Sequence, residues 1–300
     1  MEEKFEVIII GGSYAGLSAA MALGRSLRKV LIIDSGLPCN RQTLYSHNFI
    51  TQDGVKPGVI SSIAKKQVLE YKTVEYLNDK AVKTKKIDKT YKVDTESGKT
   101  FSAQKIVFAT GIKDNLPKIK GFSECWGISV VHCPYCHGYE LRGKNTAIIA
   151  NDEKAIHLAS LVNNLTSKIT ICTNGKATFN TEQKIQLARH DINIVEKQII
   201  EIIHKNGSIE KIVFTDNTTM AFEAAYGAVP FTQHSNIPES LGCKLTEQGY
   251  IDVDMFGKTS EVNIYACGDN SSPMRSVANA VSKGNFVGAF INMELTKEQF

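Results

Sequence analysis

Two kinds of hydrophobic pattern divide the chain. Short, nearly continuous apolar runs occur at 5–10, 30–34, 105–109, 146–150, 168–172, 192–195 and 226–230. Such runs predict strands buried on both faces, as in a parallel sheet. Across 74–103, Lys, Asp and Thr instead alternate with Val, Ile, Tyr and Phe, which predicts antiparallel strands with a turn at Ser97-Gly98. Ala- and Leu-rich or amphipathic stretches predict helices from the first glycine turn to about 27, over 153–164, over 181–190 and over 277–294. Residues 199–215 read as a hairpin around Asn206-Gly207.

Strand, turn, helix, strand therefore occurs twice, at 5–34 and at 146–172. The expectation is an α/β fold of two Rossmann-like three-layer domains. A last region, 250–253, 264–269 and the helix 277–294, is too short to fold alone and is expected to return to the first domain. That makes the first domain discontinuous, 1–114 plus 232–300, with 115–231 inserted as a module carrying a Cys-x-x-Cys.

Composition narrows the classes. At 300 residues and 42% hydrophobic, the chain can bury two ordinary cores. Its +4 charge comes from 35 basic and 31 acidic residues spread along the sequence, with no basic arm, so nucleic acid is not an expected partner. Met1-Glu2-Glu3-Lys4 runs straight into 5–10 without a basic start, a longer apolar core or a cleavage site, so no secretory signal is read and a cytoplasmic protein is expected. No run of about 18 apolar residues predicts a membrane span. Seven cysteines, at 39, 125, 133, 136, 172, 243 and 267, do not form the pattern of a secreted disulfide framework, and only Cys133 and Cys136 are close partners.

Two motifs carry candidate chemistry. Gly11-Gly12-Ser13-Tyr14-Ala15-Gly16 lies between a strand and a helix, with Asp34 18 residues beyond Gly16, the context of a dinucleotide-binding turn. Gly11 permits the tight turn, Gly16 lets the helix approach the sheet, and the helix N-terminus offers amides and a positive dipole to a pyrophosphate. Asp34 would accept hydrogen bonds from a ribose. Cys133-Pro134-Tyr135-Cys136-His137-Gly138 fits a zinc half-site, a structural crosslink or a redox pair. Zinc needs two further ligands; His132 and His137 flank the pair too tightly to share one tetrahedral ion, and no second Cys-x-x-Cys exists, so no metal is expected. A redox pair is favoured, with His137 placed to supply charge or move a proton, or else a simple surface histidine.

Together with Ala109-Thr110-Gly111 and Ala266-Cys267-Gly268-Asp269, these motifs resemble the low-molecular-weight thioredoxin reductase family of flavoproteins over nearly the whole chain. The resemblance implies FAD bound by the first and last segments, a homodimer, and redox cysteines on the inserted domain with Cys136 toward the flavin. It implies Gly11, Ser13, Ala15 and Gly16 at the pyrophosphate and Asp34 and Ser35 at the ribose. Arg41, Gln42 and Asn48 would contribute from the following loop and Val82 from beside the adenine. Thr110 and Gly111 would line the site, Gly268 and Asp269 the ribityl side, and the amides of Ser276 and Val277 would face the reduced flavin.

One departure changes the expected chemistry. Where the family carries a second glycine turn for NADPH, this chain has Ile149-Ala150-Asn151-Asp152-Glu153, and two carboxylates at a phosphate seat are repulsive. The next strand leads into Thr173-Asn174-Gly175-Lys176 without the family's arginine cluster. Efficient use of NADPH is therefore not expected. The chain looks like the dithiol oxidases of the family, in which electrons pass from a small dithiol through Cys133 and Cys136 to FAD and on to oxygen, with His137 as base. Other readings are a reductase of a thioredoxin-like protein fed by ferredoxin or flavodoxin, an ordinary NADPH-dependent thioredoxin reductase, and a redox-sensing flavoprotein without turnover. No role follows from chemistry for the segment His47 to Thr51.

Overall fold

A computed structural model describes residues 3–300; Met1 and Glu2, part of the stretch read above as lacking a secretory signal, lie outside them. The chain divides into two compact units, one of Met1–Arg41, Asn48–Lys113 and Thr232–Phe300, the other of Gln42–His47 and Asp114–Phe231.

In the first unit, five parallel strands lie in the spatial order Val74–Asn78, Val30–Asp34, Glu3–Ile10, Thr100–Phe108 and Ile264–Ala266. Thr100–Phe108 is long enough for two tasks. Its first half pairs antiparallel with Thr90–Thr95, which pairs in turn with Ala81–Ile87, while its last three residues pair with Ile264–Ala266. Side chains alternate across the sheet as strand geometry requires. Val7, Ile9, Val30, Ile32 and Val107 enter one core with the helices Tyr14–Arg25, Pro57–Val68 and Val277–Gln299. Ile8, Ile10, Leu31, Ile33, Ile106 and Phe108 enter the other with Ala81, Tyr91, Val93 and Ile237.

Val74–Asn78 corrects the antiparallel reading of 74–103: it runs parallel to Val30–Asp34. It is an edge strand with only Val74 fully buried, so its exposed side alternates like an antiparallel strand. The remainder of that stretch is antiparallel. The helix Pro57–Val68 stands in a stretch whose hydrophobic pattern predicts no element.

The first and last helices of this unit meet at unusually short range. A Cβ on Gly284 would fall on the Ala15 carbonyl and one on Gly288 on the Ala19 carbonyl, and Ser18 Oγ donates to Val281 O at 2.7 Å. Wholly buried Lys105 anchors the far end of the last helix, with Nζ 2.7 Å from Glu298 Oε1 and 2.9 Å from Asn263 Oδ1. The glycines and the buried cation thus fix where the last helix begins.

In the second unit, parallel strands lie in the order Asn193–Val195, Ile169–Cys172, Thr146–Ile149, Ala224–Gly227 and Val130–Val131. A separate antiparallel sheet contains the hairpin Ile199–Lys205 and Ser208–Phe214, turning at Asn206-Gly207, and the strand Thr219–Ala221. Helices Pro134–Leu141, Asp152–Val162 and Thr181–Arg189 complete the unit with the short Phe122–Cys125. Among the described residues no helix is long and apolar enough to cross a membrane.

Gly284→Val should cost about 2–3 kcal/mol by overpacking the helix crossing, read as a lower urea midpoint. An unchanged midpoint would show that the crossing is looser than described.

Candidate active site

The register of the first sheet gathers four strand ends. Ile10 pairs with Ile33 and with Phe108, and Phe108 pairs with Ala266, so the residues that follow those strands emerge at one edge. In open parallel sheets this carboxyl edge is where ligands bind. Gly11 N donates to Ile33 O at 2.8 Å, Ala109 N to Ile10 O at 2.8 Å and Cys267 N to Phe108 O at 3.0 Å, which stitches the three exits together. Gly11 has φ +107°, and a Cβ there would strike the Ala109 carbonyl, so glycine is required.

The helix that begins there is left open at its end. Ser13 is its N-cap but makes no side-chain cap, and no acid stands in the first turn. Beside it, Asp34 accepts from Gly12 N at 3.0 Å through one oxygen and from Tyr76 Oη at 2.6 Å through the other. Burial and the Asp34 carboxylate push the Tyr76 phenol far above its ordinary pKa, so Tyr76 stays a donor. Asn270, wholly buried, donates from Nδ2 to Phe108 O at 2.9 Å and Thr110 Oγ1 at 3.3 Å, while its Oδ1 has no hydrogen-bond partner. Open amides for an anion, a carboxylate for a ribose and a buried unpaired acceptor suit a dinucleotide.

The expected residues separate into those this edge unites and those it does not. Gly11, Ser13, Ala15, Gly16, Asp34, Ser35, Thr110, Gly111, Gly268 and Asp269 all stand at or directly after the four strand ends. Ser276 caps the last helix by accepting from Asn279 N at 3.1 Å, and Val277 is that helix's first residue. Arg41 donates to Pro38 O at 3.2 Å in the loop whose Cys39 Sγ lies 3.9 Å from Asp269 Oδ2. Asn48 takes a left-handed backbone, φ 59°, and its N–H donates to Asp53. Val82 lies half exposed on the strand Ala81–Ile87. Gln42 belongs to the second unit, where its Nε2 donates to Ser123 O at 3.2 Å. Tyr76 and Asn270 were not foreseen; Asn270 follows directly on Gly268-Asp269, whereas nothing in the sequence joined Tyr76 to Asp34.

The cysteines stand at the exit of the edge strand Val130–Val131 in the second unit. Cys133 is the N-cap of the helix Pro134–Leu141, is disulfide-bonded to Cys136 with Cα atoms 5.3 Å apart, and its Sγ accepts from Cys136 N at 3.1 Å. That amide and the helix N-terminus stabilise negative charge on Cys133 sulfur once the bond opens. His137 follows within the same turn. Burial holds its pKa below the ordinary histidine value; His47 lowers it further and Glu140 opposes both. Tyr135 and Tyr139, four residues apart on one face of this helix, are 69% and 68% exposed.

The second βαβ turn, in the same unit, is filled by its own side chains. Asn151 Oδ1 accepts from Asp152 N at 2.9 Å and from Thr178 N and Oγ1 at 3.1 Å, while its Nδ2 donates to Lys176 O at 2.9 Å. Asp152 Oδ1 accepts from Lys154 N at 2.8 Å, and Glu153 accepts from Gln183 Nε2. In the neighbouring loop, Ala177 N donates to Glu196 Oε1 at 2.7 Å. Amides at this helix start thus serve internal carboxylates and an amide oxygen.

The profile of the pyridine nucleotide-disulphide oxidoreductases matches residues 5–284. An oxidoreductase from Agrobacterium tumefaciens is 35% identical, with a TM-score of 0.92 over 98% of this chain and 99% of that one. A putative thioredoxin reductase TrxB from Bacillus anthracis is 30% identical, with a TM-score of 0.94 over 99% of this chain and 100% of that one. The thioredoxin reductase aclD of Aspergillus oryzae is 28% identical over 98% of both chains.

Replacing Asp34 by Ala should weaken flavin retention by about 10- to 100-fold, the worth of charge-assisted hydrogen bonds. The ratio of absorbance near 450 nm to that at 280 nm after dialysis measures it, and an unchanged ratio would remove Asp34 from the cofactor seat.

Proposed function

Because the chain belongs to the pyridine nucleotide-disulphide oxidoreductase family, as a thioredoxin reductase-like flavoenzyme that uses FAD, we propose that it oxidises a small dithiol through Cys133 and Cys136 without drawing on NADPH. The observation that carries this reading is the second helix start, where Asn151 and Asp152 occupy the amides a pyrophosphate would need. Asp152, Glu153 and Glu196 place three carboxylates around that loop, against Lys154 and Lys176. Bringing a dinucleotide there would break those bonds and desolvate like charges.

When bound, FAD supplies a two-electron acceptor that oxygen can reoxidise to give hydrogen peroxide. Gly11, Ser13, Ala15, Gly16, Asp34 and Asn270 would hold it at the strand ends, with Thr110, Gly111, Gly268 and Asp269 beside it and the last helix start opposite. The protein's own chemistry is thiol exchange. A substrate thiolate attacks Cys133 Sγ; the Cys133–Cys136 bond breaks and Cys136 leaves as a thiolate. The second substrate thiolate then attacks the substrate sulfur of the mixed disulfide, so the product departs as a disulfide and Cys133 is released reduced. Re-forming the Cys133–Cys136 bond would release two electrons, for which bound FAD would be the acceptor. His137, held neutral by burial, accepts a thiol proton as each thiolate forms. The net change is one dithiol and one oxygen to one disulfide and one hydrogen peroxide.

Purified holoenzyme given dithiothreitol in air should consume oxygen catalytically, and Cys136→Ser should lower that rate by at least about 100-fold. An unchanged rate in Cys136→Ser would remove the cysteine pair from the mechanism. Bleaching without sustained oxygen uptake would instead leave a redox sensor or a reductase that runs in the other direction, fed by a donor such as ferredoxin.

A further inference from the structure

Around the cysteine helix, one ionic pairing plays no part in the thiol chemistry above. His47 closes the excursion Gln42–His47, which folds with the second unit, and its Nδ1 lies 3.7 Å from Glu140 Oε1. Glu140 is three residues beyond His137 on the helix Pro134–Leu141, a spacing that puts the two side chains on the same side. His47 is largely shielded, with 18% of its side chain exposed, against 41% for Glu140.

We infer that His47 is a positioning residue for thiol exchange: held against Glu140 on the side of the helix that carries His137, it and Glu140 act on His137 with opposite sign. The inference rests on the reading of Cys133 and Cys136 as an exchanging pair. His47 lowers the proton affinity of His137 and Glu140 raises it, so the pair sets how readily His137 accepts a proton when a substrate thiol ionises.

The other groups nearby do not take over this role. Tyr226, buried on the strand Ala224–Gly227, has its phenol pushed up to about 12 by burial and by Glu140, so it stays protonated. Arg142 is turned away onto the Tyr139 ring at 4.0 Å and donates to Tyr139 O. His132 lies against Trp126, with ring centroids 6.1 Å apart.

The two partners act on His137 with opposite sign. Removing the His47 charge raises the pH below which His137 is protonated, so the acid limb of thiol exchange moves to higher pH. Removing the Glu140 charge lowers it, and the limb moves to lower pH. Opening of Cys133–Cys136 by dithiothreitol in the holoenzyme, quenched with a maleimide and counted as free thiols, reads the rate without oxygen or turnover. At about pH 5.5, relative to each protein's own alkaline plateau, His47→Gln should be about threefold slower than the parent and Glu140→Gln faster. NMR titration of the His137 C2 proton in the same proteins should shift in the same opposite directions. Equal shifts in both variants, or none, would overturn the coupling, and His47→Asn repeats the test if His47→Gln folds poorly. A parent disulfide that no dithiol opens would sink the exchange reading itself, while the NMR titration would still decide the coupling.

Discussion

A pyrophosphate settles at a helix N-terminus only where the amides are open, and the two βαβ turns of this chain meet that requirement in opposite ways. In the first, Ser13 leaves its helix uncapped, Gly11 and Gly16 keep side chains out, and the nearest acid is turned to Gly12 N and Tyr76. In the second, Asn151 and Asp152 close the same position from within. The strand and helix scaffold is common to both, and the difference in chemistry lies in four or five residues at each turn.

Packing explains why the first seat is rigid. The last helix is pressed onto the first through Gly284 and Gly288, so neither can move without driving a Cβ-free surface against the carbonyls of Ala15 or Ala19. At its other end, Lys105 is buried under Glu298 and Asn263, and Glu294 bonds Tyr265 and Lys258. Lys105 is wholly buried while Glu298 reaches it from a half-exposed position, so losing these partners would strand a buried cation; the last helix, which starts after its cap Ser276 at the expected flavin face, is thereby held at its far end as well.

Much of this was legible because the responsible residues are close in sequence. Strand, glycine turn and helix at 5–27 are local patterns, as is the hairpin at Asn206-Gly207, and the loss of glycines at 150–153 is visible by inspection. The helix Pro57–Val68 escaped because only Pro57, Ile60 and Val68 of it are buried, too few to give a helical period. The direction of Val74–Asn78 escaped because an edge strand half exposed to solvent has the alternation of an antiparallel one. The partners of Asp34 and Glu140, Tyr76 and His47, lie 42 and 93 residues away, and only the fold brings them together. Gln42, expected in the cofactor loop, goes with His47 into the second unit for the same reason: its contact with Ser123 is made by the tertiary structure.

The first unit keeps its helix amides open, and the second carries a disulfide and a turn closed by its own side chains; the proposed function has electrons run from thiols to flavin rather than from nicotinamide. Anaerobic stopped-flow mixing tests this most directly, following flavin absorbance near 450 nm after addition of NADPH, NADH or dithiothreitol. Bleaching within seconds by the dithiol, with neither nicotinamide bleaching the flavin on that scale, is the predicted result. Rapid bleaching by NADPH or NADH would contradict it and restore an ordinary reductase.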